Sequence, residues 1–386
     1  MHDVRIELRR DIGRVSPQQG PWIRRKQIAR IQGTPDPWAL ARIVDRRGDT
    51  LGWGLVSAAS SISVRMLAWG EAPPEPDWLP RRLTAAFEAR RAYRFEDEGT
   101  TGYREVNSEG DGLPGLVIDR YEDQMIVQIT TAPMAAREDE IVAWLHARGH
   151  ERVLVLLPET AAKQEGFVAG HRGTSPEKSL VFHEHGMRFE VPAPPSQKTG
   201  AYFDQRGNRR VVAHLAARRG GPLLDVGCHV GGFALHARRL GVPAVGLDQS
   251  AAALTYARAN AANNGFDDVE WIQADMFAPW NDPRLDRQFG TIVLDPPKIA
   301  ARRTDVDRAL GAFVRLAQHA SARIVPEGHL VLCTCSHHIG PDHLDRIALE
   351  LPGRWRRVAW MGPGFDHPVA PAHREGDYLR VGVYQR

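Results

Sequence analysis

The chain has 386 residues, 42% apolar and 25% charged, the proportions of a folded soluble protein and more than one ordinary core accommodates, so two or three domains are expected. Net charge is only +3, and three cysteines, at 228, 333 and 335, give no disulfide framework, which reads as reduced thiols in the cytosol. No apolar run reaches about 18 residues and the start MHDVRIELRR has no apolar signal core, so neither a membrane span nor secretion is expected.

Residues 1–30 hold eight basic side chains (Arg5, Arg9, Arg10, Arg14, Arg24, Arg25, Lys26, Arg30) against three acidic ones (Asp3, Glu7, Asp11). That segment is a solvated basic face or a phosphate-binding one; charge alone leaves both open. Residues 1 to about 70 alternate short apolar stretches such as ALARIVD and SISVRML with glycine turns, which predicts a small β-rich domain. Two proline-rich seams follow, EAPPEPDWLP (71–80) and VPAPPSQ (191–197), and read as linkers. They divide the chain into expected domains 1–72, 73–195 and 196–386.

The middle domain opens with a predicted helix, LPRRLTAAFEARRAYRF, that places Leu83, Ala86 and Phe87 on one face. LVIDR and MIVQIT then form a predicted hairpin around Tyr121, Glu122 and Asp123; AREDEIVAWLHARG is helical and ERVLVLLPE a strand. In the last domain, strand-like runs occur at 223–226, 244–248, 269–274, 291–295, 329–335, 356–360 and 378–385. Helical stretches are expected between the first five, with Ser250 as the N-cap of one. This βα alternation predicts a doubly wound parallel sheet with its ligand site at the carboxyl ends of the strands. The last two strands, with no clear helix between them, predict an antiparallel edge and so a seven-stranded α/β sheet.

Chemistry gathers at those strand ends. Asp225 closes the first strand in LLDVGCHVGGF, and Gly227 and Gly231 let the backbone approach a ligand or simply reverse the chain. Asp248 ends the second strand, where a carboxylate can accept from ribose hydroxyls, and Asp275 the third, with Met276 and Phe277 beside it for a purine ring. Each acid alone is also a plausible helix cap. Three together repel a pyrophosphate and suit S-adenosyl-L-methionine, whose sulfonium and amino groups are positive. The fourth strand ends in VLDPPK, a stiff turn that aims Asp295 at a planar base, with Lys298 facing phosphate or solvent.

The fifth strand ends in LVLCTCSHH, beside the fourth. Four ligands packed as Cys333, Cys335, His337 and His338 are too close in sequence for the usual structural zinc spacing, and no metal is expected. Cys333 reads as a buried, inert thiol. Cys335, two residues on and past the strand end, reads as a nucleophile: a thiolate that adds to carbon 6 of a pyrimidine makes carbon 5 reactive enough to accept a methyl group. Asp295 would stabilise that adduct at ring nitrogen 3.

The stretches SQKTGAYFDQRGNRR (196–210), LLDVGCHVGGF, FGTIVLDPPK and LCTCSHH, in this order, resemble the bacterial large-subunit rRNA cytosine-5 methyltransferases; EGDGLPGLVIDRYEDQMIVQI and EHGMRFEV are similar to that family's central domain. The resemblance implies an N-terminal PUA domain that docks on RNA, a central α+β domain and a class I methyltransferase domain. It implies Cys335 as nucleophile, and Asp225, Asp248 and Asp275 around S-adenosyl-L-methionine. Tyr202, Asp204, Gln205 and Arg206 would line the cofactor or target-base pocket. Three departures stand out: His229 replaces the middle glycine of a generic DxGxGxG loop, the fourth-strand motif lacks the second cysteine that other RNA cytosine-5 enzymes use in product release, and RRDIGRVSPQQGPWI (9–23) departs from the family's usual basic start. The expected activity is transfer of a methyl group to carbon 5 of a cytosine in 23S rRNA. Uracil-5 methylation, guanine-N methylation and a non-catalytic role in ribosome assembly are the alternatives.

Overall fold

The computed structural model describes residues 4–9, 15–194, 200–300 and 302–386. The chain forms two compact units: the first comprises Met1–Leu180, Ala193–Gly200 and Phe365–Gly376, the second Val181–Pro192, Ala201–Gly364 and Asp377–Arg386. Residues 195–197 of the second proline-rich seam, and with them the expected junction at 195/196, lie outside the described residues, as do Arg10 and Arg14; the seam's first two residues, Val191 and Pro192, end the strand Met187–Pro192.

In the first unit, six strands form one sheet in the order Trp22–Arg24, Ile62–Trp69, Thr50–Val56, Leu40–Val44, Val4–Leu8, Ile28–Gln32. All neighbours are antiparallel except Val4–Leu8 and Leu40–Val44, which run parallel. Inward residues at alternate positions, among them Ile6, Ile23, Ile43 and Val64, are fully buried and make its core. A five-stranded sheet follows, and the helix Trp78–Ala92 buries Leu79, Leu83, Ala86 and Phe87 in one cluster with its Val106, Ile118 and Val127. The helix stops short of the expected end at Phe95, because Arg94 takes a left-handed conformation with φ 53°. The expected hairpin pairs Leu116–Tyr121 with Gln124–Ile129, and Glu122 turns it with φ 53°.

The segment Phe365–Gly376 is fastened within this unit by buried polar groups. The Arg90 guanidinium donates to the Asp366 carbonyl (2.9 Å) and the Arg104 backbone N–H to the Asp366 carboxylate (3.0 Å). Both arginines are also paired with carboxylates, Arg90 with Asp111 at 2.6 Å and Arg104 with Asp119 at 2.8 Å, so neither guanidinium is buried without a counter-charge.

The second unit carries the seven-stranded sheet. Its strands are β1 (Leu223–Val226), β2 (Ala244–Asp248), β3 (Glu270–Gln273), β4 (Phe289–Leu294), β5 (Ile324–Thr334), β6 (Arg356–Met361) and β7 (Arg380–Gln385). They lie in the order β3-β2-β1-β4-β5-β7-β6. The first five are parallel, and β7 runs antiparallel to both β5 and β6, which is the edge the sequence predicts. The helices are α1 (Arg206–Arg219), α2 (Gly232–Arg239), α3 (Ala251–Asn263), α4 (Val306–Ser321) and α5 (Pro341–Leu349). Ser250 caps α3, its hydroxyl accepting from the Ala253 N–H at 3.1 Å, a contact of about 1 kcal/mol.

One expectation fails. No α-helix joins β3 to β4; the connection is an irregular stretch with a single 3-10 turn, Pro283–Leu285. Pro279 and Pro283 withhold N–H donors, and the Asp282 carboxylate accepts from the Arg284 N–H at 2.9 Å, a local turn that competes with helix. Helix packing elsewhere follows the apolar spacing: Phe313 and Leu316 of α4 are buried with Leu294 and Leu330 of the sheet.

Candidate active site

The carboxyl ends of β1, β2 and β4 are tied together by backbone hydrogen bonds. The Gly227 N–H donates to the Leu247 carbonyl (2.8 Å) and the Asp295 N–H to the Val226 carbonyl (3.0 Å). Gly227 has φ +82°, and a Cβ on it would stand 2.4 Å from the Asp295 carbonyl oxygen, so only glycine lets the chain turn this close to β4. Gly231, with φ +91°, is the N-cap of α2. Between them His229 takes φ 50°, and its ring meets the Tyr202 ring edge-on at 5.1 Å.

Asp225, Asp248 and Asp275 each satisfy a backbone donor near their own strand end. The buried Asp225 carboxylate accepts from the Ala234 N–H of α2 at 3.0 Å, and its Oδ1 has no hydrogen-bond partner among the described residues. Burial pushes its pKa up to about 7, and the Asp295 and Asp248 charges push the same way. Asp248, half-buried, accepts from the N–H groups of His229 (2.9 Å) and Ser250 (2.8 Å). Asp275 is exposed and accepts from the Phe277 N–H at 2.9 Å. Both readings of these acids, cap and ligand-facing carboxylate, are thus physically compatible at one residue. Met276 is buried in the core, its Cε beside Gly227, while Phe277 is 40% exposed.

The turn after β4 is held from the start of α1. The Gln205 side-chain amide donates to the Asp295 carboxylate at 3.0 Å, and its carbonyl accepts from Asn208 at 2.7 Å, which fixes the amide's orientation. Asp204 accepts from the Tyr378 hydroxyl at 2.7 Å, and Arg206 is buried at the first turn of α1. Lys298 is exposed, three residues past Asp295.

The two cysteines of β5 have different surroundings. Cys333 is fully buried among Val293, Val331 and Val381, and burial raises its thiol well above the usual range. The ladder with β7 ends at Thr334, so Cys335 leaves the sheet one residue later and is half-buried. Register places Leu332 opposite Leu294, so Asp295 and Cys333 continue from paired positions and Cys335 lies just beyond. His337 and His338 are both exposed in the turn that follows.

A further cluster supports this site from below and went unread in the sequence. The buried Glu184 carboxylate accepts at both oxygens from Nη1 of Arg209 of α1 (3.0 and 2.8 Å) and lies 3.2 Å from the His236 ring of α2. The same guanidinium donates to the Tyr202 carbonyl at 2.8 Å. Burial alone would raise the Glu184 pKa, but the Arg209 guanidinium holds it below the usual carboxylate value. Burial lowers the His236 pKa to about 4. Acidic and basic members lie 25 residues apart in sequence, and EHG and NRRVV give no local sign of pairing. Among the described residues no group of three His, Cys, Asp or Glu side chains is placed to hold a metal ion, and no helix is long and apolar enough to cross a membrane.

Comparison with known proteins adds an independent line. Residues 201–350 match the family described as Methyltransferase small domain, and residues 8–69 match the PUA-like domain. A ribosomal RNA large subunit methyltransferase I of Shewanella denitrificans is 30% identical, covering 98% of this chain and 98% of that protein. A ribosomal RNA large subunit methyltransferase of Deinococcus radiodurans is 33% identical over 95% of this chain and 93% of its own length. Among solved structures, a Streptococcus mutans protein described as a SAM-dependent methyltransferase has the same fold, with TM-score 0.81, 15% identity and coverage of 99% of this chain and 100% of that one. A second, described as a methyltransferase complexed with SAH, gives TM-score 0.77 at 16% identity over 90% of this chain and 91% of that one.

Proposed function

The chain belongs to the ribosomal RNA large subunit methyltransferase I family, and from that premise we propose that it methylates carbon 5 of a cytosine in 23S rRNA through a covalent bond from Cys335. S-adenosyl-L-methionine is the methyl donor. The residues at the strand ends fit it: Asp225 keeps a buried carboxylate oxygen without a partner among the described residues, Asp248 ends β2, Asp275 lies two residues past β3, and no phosphate has to be accommodated among those charges. Asp225, Gly227, Gly231, Asp248, Asp275 and Met276 would hold it, and when bound it supplies an electrophilic methyl carbon.

The chain's own residues do the rest. Cys335 gives its proton to water and its sulfur bonds to carbon 6 of the ring, which moves electron density onto carbon 5 and makes it the nucleophile for the methyl group. Asp295, positioned by Gln205, acts here as the carboxylic acid: its O–H donates to ring nitrogen 3 and its proton offsets the negative charge that the addition places on the ring. Once carbon 5 carries the methyl group, loss of its proton to a base or water drives out the thiolate: the sulfur–carbon 6 bond breaks and the double bond returns. Tyr202, Gln205, Arg206 and Lys298 are assigned to the substrate side, Lys298 toward phosphate.

What supports this reading most is the contrast within LCTCS: one thiol is sealed in the core and the other emerges at the strand end beside the Asp295 turn. The test is direct. Wild-type enzyme incubated with RNA containing 5-fluorocytosine should give an adduct that survives SDS, and mass spectrometry of methylated 23S rRNA should show 5-methylcytidine. A Cys335→Ala enzyme that still methylates at the wild-type rate overturns the covalent route; 5-methyluridine or a methylated guanosine overturns the choice of base.

A further inference from the structure

The first unit holds a cavity of about 530 Å³ that the reaction above does not use. Its walls come from two stretches far apart in sequence, residues 18–27 of the PUA-like domain and residues 372–375 of the segment that lies between β6 and β7 in the chain. The two meet closely: a Cβ on Gly20 would stand 2.6 Å from the Ala372 carbonyl oxygen. The size is that of a small-ligand site.

Its chemistry is specific. Trp22 is held in place by its indole N–H, which donates to Glu109 at 2.7 Å, and its ring meets the His373 ring at 4.5 Å. His373 is 6% exposed, yet its Nε2 has no hydrogen-bond partner among the described residues, which is costly for a buried polar atom unless a ligand supplies one. Lys26 and Arg374 are exposed at the cavity wall. Arg24 is paired with Glu375 at 3.5 Å, but both side chains are nearly half exposed, so a phosphate can take the arginine over at little cost. Cations at the rim, a buried ring nitrogen seeking a partner and side-chain amides from Gln18 and Gln27 suit a nucleotide better than an apolar ligand.

We propose that this cavity binds one unpaired nucleotide of the RNA substrate, its base edge against His373 and its phosphate between Lys26 and Arg374. The inference rests on RNA being the substrate and gives the basic amino-terminal segment a defined role, because Lys26, from that patch, becomes a phosphate ligand.

The test measures binding of fluorescein-labelled single-stranded oligouridylate to the full-length protein by anisotropy across a salt series. Lys26→Glu and Arg374→Glu are each expected to weaken binding about tenfold and to flatten the salt dependence by about 0.7 in the log–log slope, one phosphate contact apiece. His373→Ala should weaken binding without changing that slope. Arg46→Glu, on an exposed turn of the same sheet, serves as the charge control. If it weakens binding as much as the cavity variants do, diffuse charge and not the cavity holds the RNA, and the proposal falls. It falls equally if the cavity variants bind like wild type. Binding that depends on the cavity, in a protein that leaves 23S rRNA unmethylated, keeps this site and removes the activity proposed above instead.

Discussion

Cys333 lies within β5 and Cys335 one residue past its end, so the first thiol is sealed in the core and the second is only half-buried. Cys333→Ala is expected to cost about 1–2 kcal/mol of stability through lost packing and to leave the SDS-resistant adduct intact, as read on a denaturing gel. Asp225 makes a pH prediction. Its pKa is raised to about 7 in the fold from 3.8, so the folded protein holds a proton the unfolded chain has lost. The associated stability is fully present below about pH 4 and is lost as pH rises toward and through about 7. Asp225→Asn should therefore flatten the fall of urea-unfolding free energy between about pH 5 and pH 8; an unchanged slope would show that the carboxyl is ionised throughout. Such residues were legible in sequence as positions, because a strand end and a glycine loop announce themselves. Their environments were not, since the depth at which Asp225 lies depends on α2 closing over it.

At the scale of elements, the strands of the sheet could be read because buried parallel strands are short, continuous apolar runs bounded by turns. α5 was missed: PDHLDRIAL is nine residues, begins with proline and follows a His-His-Ile-Gly turn, so its apolar face is only Leu344, Ile347 and Ala348. The Glu184–Arg209–His236 cluster was missed for a different reason, since pairing across three elements leaves no periodic trace. It locks α1 and α2 to the strand that ends at Glu184. Glu184→Gln removes one partner of a buried ion pair and should lower unfolding stability by about 3–5 kcal/mol. Because the same arginine holds the carbonyl of Tyr202, which is assigned to the substrate side, the variant should also raise KM for the RNA more than it lowers kcat, whereas a merely structural pair would leave that ratio untouched.

For the whole molecule, two units predict more than one unfolding event. In calorimetry, S-adenosylhomocysteine at about 100 times its Kd should stabilise the unit bearing the seven-stranded sheet by about 2.7 kcal/mol and leave the other transition in place. Proline-rich seams marked where composition changes along the chain, but composition carries no information on which later residues return to an earlier unit. Residues 201–386 expressed alone lack the Val181–Pro192 hairpin and so leave Arg209 buried without Glu184. That fragment is expected to be less stable than 181–386 by circular dichroism melting.

The return of Phe365–Gly376 to the first unit also has a consequence in time. Translation delivers Arg90 and Arg104 long before Asp366, the residue whose carbonyl and carboxylate they engage. An emerging polypeptide can therefore gather its leading sheets early but cannot complete them until nearly everything downstream has left the ribosome. A nascent chain arrested before Phe365 should be cut by protease in its early half, at sites that the released, full-length product protects.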